Sequence, residues 1–72
     1  MDQLTPREYQ VAMLVARGFS NREIARELGV STGTVKLHMH KVIQKLGVKS
    51  RFEAITMILR EAAAQREPGA PG

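Results

Sequence analysis

Five cations and no acid lie between Ser31 and Arg51: Lys36, Lys41, Lys45, Lys49 and Arg51. Elsewhere the charges almost cancel. Residues 1–30 set Arg7, Arg17, Arg22 and Arg26 against Asp2, Glu8, Glu23 and Glu27, and residues 52–72 set Arg60 and Arg66 against Glu53, Glu61 and Glu67. The whole excess, a formal +4 for the chain, therefore comes from one central block. A block of single sign attracts an anionic partner surface. Two hydroxyls, Thr32 and Thr34, and two imidazoles, His38 and His40, share that block. The imidazoles raise the question of a metal. On a helix they point about 200° apart, and no cysteine is present to complete a ligand set. No nucleophile–base pair and no glycine-rich phosphate loop can be assembled from the remaining residues. Neither an enzyme, a metal site nor a cofactor is expected.

The scale of the chain agrees with binding rather than catalysis. Seventy-two residues form one domain with a marginal core, too small for a closed catalytic cleft, a doubly wound sheet or a barrel. At 43% hydrophobic and 25% charged residues the chain is too apolar for outright disorder. No apolar run approaches the roughly 20 residues of a membrane span, and Asp2 stands where a signal peptide would be basic. A cytoplasmic protein without membrane contact is expected.

The elements that must carry the basic block are marked by their caps. Thr5-Pro6-Arg7-Glu8 and Ser20-Asn21-Arg22-Glu23 are capping boxes, with proline at the first helical position of the first. Ser31 caps a third helix, and Ser50-Arg51-Phe52-Glu53 predicts a third box opening a fourth. Leu4 and Tyr9 are spaced as a hydrophobic staple across the first cap. Gly18, Gly29 and Gly47 fall where the first three helices should stop. Val11, Leu14 and Val15 give the first helix its buried stripe, and Ile24, Ala25 and Leu28 the second. Val35, Met39, Val42 and Leu46 serve the third, and Phe52, Ile55, Ile58, Leu59 and Ala62 the fourth. No segment alternates as a strand would. The expected fold is all-α, a four-helix bundle over residues 1–66, with residues 67–72 a disordered tail ending Pro-Gly-Ala-Pro-Gly.

The second and third helices are separated by so few residues that they must meet steeply. Ala25 supplies a small contact, Gly29 a permissive turn and Val35 a buried apolar residue, with Ile24, Leu28 and Val30 in the seam. That is a helix-turn-helix, whose second member enters the DNA major groove. On the third helix, the face opposite the core stripe carries Gly33, Leu37, His40, Lys41 and Gln44, flanked by Lys36 and Lys45. Leu37 is of no use to the core there and suits contact with a thymine methyl. Phosphates would be met by Ser20, Asn21 and Arg22 at the start of the second helix, where free N–H groups favour an anion. Thr32, Thr34, Lys41, Lys45, Lys49 and Arg51 extend the contact.

The wider pattern resembles the LuxR-type (GerE) DNA-binding domain of bacterial transcription regulators. Leu4-Thr5-Pro6-Arg7-Glu8, Gly18-Phe19-Ser20-Asn21-Arg22-Glu23-Ile24-Ala25, Ser31 and Thr34-Val35-Lys36-Leu37-His38 carry the likeness. Lys45-Leu46-Gly47-Val48-Lys49-Ser50-Arg51 and Glu53-Ala54 continue it, in order and with the family's spacing, across nearly all of residues 4–59. The resemblance implies base-edge contacts at Lys36, Leu37 and His40, although many relatives carry a basic or amide side chain at the last position. It makes His38, in the Thr-Val-Lys-x-His pattern, a structural residue. It also implies pairing through the fourth helix, where Ala54, Met57, Glu61 and Ala64 form a second stripe of small residues and methionine. A weak homodimer, formed mainly on an inverted-repeat site, is the expectation. Most members carry an N-terminal receiver or ligand-sensing domain. This chain begins just before the first helix, as an excised C-terminal domain or a short stand-alone member would.

Two rival readings use the same residues. Gly29-Val30-Ser31-Thr32-Gly33-Thr34-Val35-Lys36 also resembles the promoter-reading terminal domain of a sigma factor. The Leu-Thr-Pro-Arg-Glu opening and the Lys-Leu-Gly-Val-Lys-Ser-Arg segment favour the LuxR type. A module that keeps the fold but binds another regulator or RNA polymerase would have no reason to exclude acids from its exposed face. Double-stranded DNA is therefore the expected partner.

Overall fold

A hydroxyl opens each helix among the described residues, and a glycine followed by an apolar residue closes the first three. The computed structural model describes residues 3–66. Four helices result: α1 Pro6–Ala16, α2 Asn21–Leu28, α3 Thr32–Leu46 and α4 Arg51–Arg66, with no strand among the described residues. The architecture is the all-α, four-helix one the caps predict. The tail expected over residues 67–72 lies outside the described residues.

At α1, Thr5 Oγ1 accepts from Glu8 N at 3.1 Å while Glu8 Oε1 accepts from Thr5 N at 3.0 Å. Ser20 and Glu23 repeat the exchange at 3.1 and 2.8 Å to open α2. Each cap satisfies amides that the helix leaves free, typically stabilising it by about 1 kcal/mol. The third predicted box forms only by half. Glu53 N donates to Ser50 Oγ at 3.2 Å, but the Glu53 carboxylate takes Lys49 N at 2.8 Å, one residue upstream of the cap. A carboxylate reaching back over the first turn meets two consecutive amides, and here it satisfies the earlier one.

The helix ends repeat a single joint. Phe19 N donates to Leu14 O, Val30 N to Ala25 O and Val48 N to Ile43 O, each reaching back five residues across a glycine. This wrap requires positive φ at the glycine, and Gly29 at φ 70° supplies it within the helix-turn-helix. Because Val30 follows directly, the chain turns with an apolar side chain packed against the core rather than lost to solvent.

The core lies between α1 and the other three helices, with α3 also packing on α2 and α4. Val11, Ala12 and Val15 of α1, Ile24 and Ala25 of α2, Val35, Met39 and Val42 of α3, and Ala54 and Ile58 of α4 are its buried apolar residues. The stripes predicted for α1 to α3 are therefore largely the ones used, with Leu14, Leu28 and Leu46 at their half-buried margins. The stripe predicted for α4 needs correction. Phe52 is 81% exposed and Leu59 52% exposed, whereas Ala54 is completely buried. Phe52 and Leu59 lie together on one flank of the helix, well off the line through Ala54 and Ile58. A helix that packs on α1 cannot bury both arcs. The rotation of α4 is the one that encloses Ala54 and Ile58. No helix among the described residues is long and apolar enough to cross a membrane.

Candidate nucleic-acid interface

The outer face of α3 is built by exclusion. Val35, Met39 and Val42 turn one side of the helix inward, so Lys36, Leu37, His40, Lys41 and Gln44 are left on the other, all exposed. Leu37 is 54% exposed, a large apolar side chain in a row of polar ones. The structure thus brings together the three residues expected to reach base edges, Lys36, Leu37 and His40, on one continuous surface. His38 turns the other way. Its ring is half-buried and its Nδ1 is enclosed without a hydrogen-bond partner among the described residues. Among the described residues no three His, Cys, Asp or Glu side chains gather as a metal set would.

Residues expected to meet phosphate divide into two groups. Lys41, Lys49, Arg22, Ser20 and Thr32 are exposed. The others are already engaged within the fold. Thr34 is half-buried, and its hydroxyl lies 3.0 Å from Ser31 Oγ, which also accepts from Thr34 N. Lys45 Nζ donates to Glu8 Oε1 at 2.7 Å. Arg51 Nη1 donates to Asn21 Oδ1 at 2.8 Å, and Nη2 to the carbonyl of Phe19 at 3.1 Å. Lys45 and Arg51, counted from sequence as free members of the positive field, are thus held by intramolecular partners. The sequence contains a signal for the first of these contacts. Glu8 caps α1 from the side that faces the core, and a carboxylate so enclosed requires a cation. The link from Arg51 to Asn21 spans thirty positions and has no local signature.

Among the described residues Glu8 is the one charged residue that is buried, at 3% exposure. The hydrogen bond from Lys45 holds its carboxyl below the ordinary carboxylate range, helped by the amide of Thr5. A lowered folded-state pKa contributes stability that is present above the ordinary value, near pH 4.5, and is lost as pH falls through the folded value. Thermal melts taken from pH 7 downward should therefore stay level until about pH 4.5 and then fall. In Glu8→Gln the neutral melt should drop toward the acid one and part of the pH dependence should vanish. Parallel curves for the two proteins would remove this pair from the account.

The dimer stripe is also revised. Ala54, proposed from sequence as an interface residue, is wholly buried against the core and cannot reach a second copy. Met57, Glu61 and Ala64 do line one surface groove of α4, together with Phe52, Glu53, Thr56 and Arg60. Phe52, missed from sequence as a surface residue, is the most exposed large apolar side chain described, and it stands at one end of that groove.

Comparison with known proteins places this geometry. The family model for bacterial regulatory proteins of the luxR family, GerE, matches residues 2–58. The nitrate/nitrite response regulator protein NarL of Escherichia coli (strain K12) is 41% identical over 61 residues, covering 85% of this chain and 28% of that protein. The HTH-type transcriptional regulator MalT of Yersinia pestis (strain Pestoides F) is 47% identical over 57 residues, 79% of this chain and 6% of that protein. Among solved structures, the response regulator ChrA of a heme-sensing two-component system superposes with a TM-score of 0.70 at 40% identity. The match covers 88% of this chain and 29% of ChrA. The chain spans less than a third of the length of each of these relatives.

Proposed function

Because the chain belongs to the luxR family of bacterial regulatory proteins, as a DNA-binding helix-turn-helix domain of transcription regulators, we propose that α3 enters the major groove and reads sequence there. Lys36 donates to guanine or to a neighbouring phosphate, Leu37 meets a thymine methyl, and His40 donates or accepts at a base edge. Arg22, Lys41 and Lys49, with the hydroxyls of Ser20, Thr32 and Thr34 and the Asn21 amide, fix the register on phosphates. The observation that carries the reading is the outer face of α3: acid-free, basic at its edges, with Leu37 exposed at its centre. Leu37 adds nothing to the core from that place, and its side chain suits a thymine methyl.

We further propose that two copies pair weakly through α4 when DNA aligns them on an inverted repeat. Met57, Ala64 and Phe52 give the groove an apolar floor, and Glu53 and Arg60 provide opposite charges that an antiparallel copy can match. Regulation of transcription by this chain in its full setting follows from the same reading.

The test is selection of random double-stranded DNA on the 72-residue chain, with sequencing of the retained duplexes. Enrichment of a short motif is expected, and paired inverted motifs if α4 dimerises. Salt-sensitive binding without any enriched motif would overturn base readout by α3. Absence of binding even at low salt would overturn the reading altogether.

A further inference from the structure

At the N-terminus of α2 the capping box uses the amides of Ser20 and Glu23, which leaves those of Asn21 and Arg22 as the ones expected to meet phosphate, and the fold does not hold that end by helix packing alone. α2 is only eight residues long, too short to persist without tertiary support. It packs on α1 and α3, but its backbone does not approach that of α4. Among the described residues, the side-chain hydrogen bonds that tie α4 to the start of α2 come from one residue. Arg51, the first residue of α4, sends its guanidinium to Asn21 Oδ1 and to the carbonyl of Phe19, which bracket the cap residue Ser20. Both acceptors are neutral, so the bonds constrain position without cancelling the charge of Arg51. With its oxygen accepting from Arg51, the Asn21 amide keeps its NH2 group to donate elsewhere.

We propose that Arg51 is a positioning residue for DNA binding: it fixes the cap of α2 so that the amides and side chains there are aligned for phosphate, and does not itself touch the duplex. The proposal rests on the reading of the α2 N-terminus as a phosphate contact. It assigns to α4 a second task beside pairing. Whatever shifts the start of α4 also shifts the alignment of the phosphate grip, because one planar, two-pronged side chain joins them.

Arg51→Lys separates the two roles of the residue. Lysine keeps the charge but replaces a fixed fork by a single mobile ammonium. Binding of a random-sequence duplex at low salt, followed by fluorescence anisotropy, should weaken roughly fivefold in Arg51→Lys, the scale of one lost hydrogen bond. In an Asn21→Ala background the same change should cost less than in the wild type, since one of the two acceptors of Arg51 is already gone and only the Phe19 carbonyl remains. Arg51→Ala should bind more weakly than wild type while keeping the wild-type slope of affinity against salt, because no cation leaves a phosphate. Circular dichroism identifies the temperature at which all variants are folded; if Arg51→Ala does not fold, the lysine variant and its cycle with Asn21→Ala decide alone. Full wild-type affinity in Arg51→Lys, or additive losses in the cycle, would overturn the proposal. A slope reduced by about 0.9 in Arg51→Ala would do the same by making Arg51 a direct phosphate contact. If the wild-type chain binds no duplex at all, the phosphate reading fails and this inference falls with it.

Discussion

Ile58→Ala should leave much of this domain unfolded at room temperature. Ile58 and Ile24 head the fully buried side chains by volume, and Ile58 is the larger of the two core residues that α4 contributes. Its truncation loses the transfer energy of the removed methylenes and opens a cavity, together about 2–5 kcal/mol. A single core in a chain of this length rarely supplies more than about 3–5 kcal/mol in total. The loss is therefore comparable with everything the fold has. Thermal and urea melts followed by circular dichroism measure it, at roughly 4–8 °C of melting temperature per kcal/mol for a domain of this size. Phe52→Ala is the control. It removes a larger side chain, but one that is 81% exposed in the isolated chain, so its effect should stay within about 0.5 kcal/mol. Equal losses at the two positions would mean that α4 sits on the core with a different face.

The second large effect concerns specificity. Lys36→Ala and Leu37→Ala should each cost about 1–3 kcal/mol on the selected duplex, and the loss should be concentrated at one base position. Lys49→Ala should behave differently, weakening every duplex alike and reducing the salt slope by about 0.9. Lys45→Ala should show itself first as a lower melting temperature, because it strands the buried carboxylate of Glu8. The measurement is a matrix of variants against single-base changes in the duplex, titrated at several salt concentrations. If Lys36→Ala and Leu37→Ala weakened all sequences equally, base readout would have to move to other residues of α3.

Local chemistry was legible in the sequence to a depth set by its range. The caps at Thr5, Ser20 and Ser31 and the left-handed joints at Gly18, Gly29 and Gly47 depend on residues within five positions of each other. All appear where the pattern puts them. The faces of α3 follow for a related reason. Its apolar residues form one narrow stripe, so only one rotation buries them. For α4 the spacing groups Ile58 with Phe52, Ile55, Leu59 and Ala62 and puts Ala54 on a second stripe with Met57, Glu61 and Ala64, and periodicity alone does not fix the rotation between them. The core takes Ala54 and Ile58, both completely buried, and leaves Phe52 and Leu59 outside. Contacts across long separations were least legible. Lys45 with Glu8 and Arg51 with Asn21 join different elements; the first pairs a cation of the basic block with an acid, and the second fixes the place of another without cancelling its charge.

The burial of Ala54 and Ile58 also bears on when the domain can exist. A ribosome delivers α1, α2 and α3 before it makes the helix that completes their core. At about 5–20 residues per second, the sixteen residues of α4 take roughly one to three seconds to synthesise. A small helical domain with short connections folds in microseconds to milliseconds once its parts are present. Translation, and not the search for the native structure, therefore sets the moment of closure. Until α4 has emerged, the groove-reading helix has already been made but has no complete core to stand on.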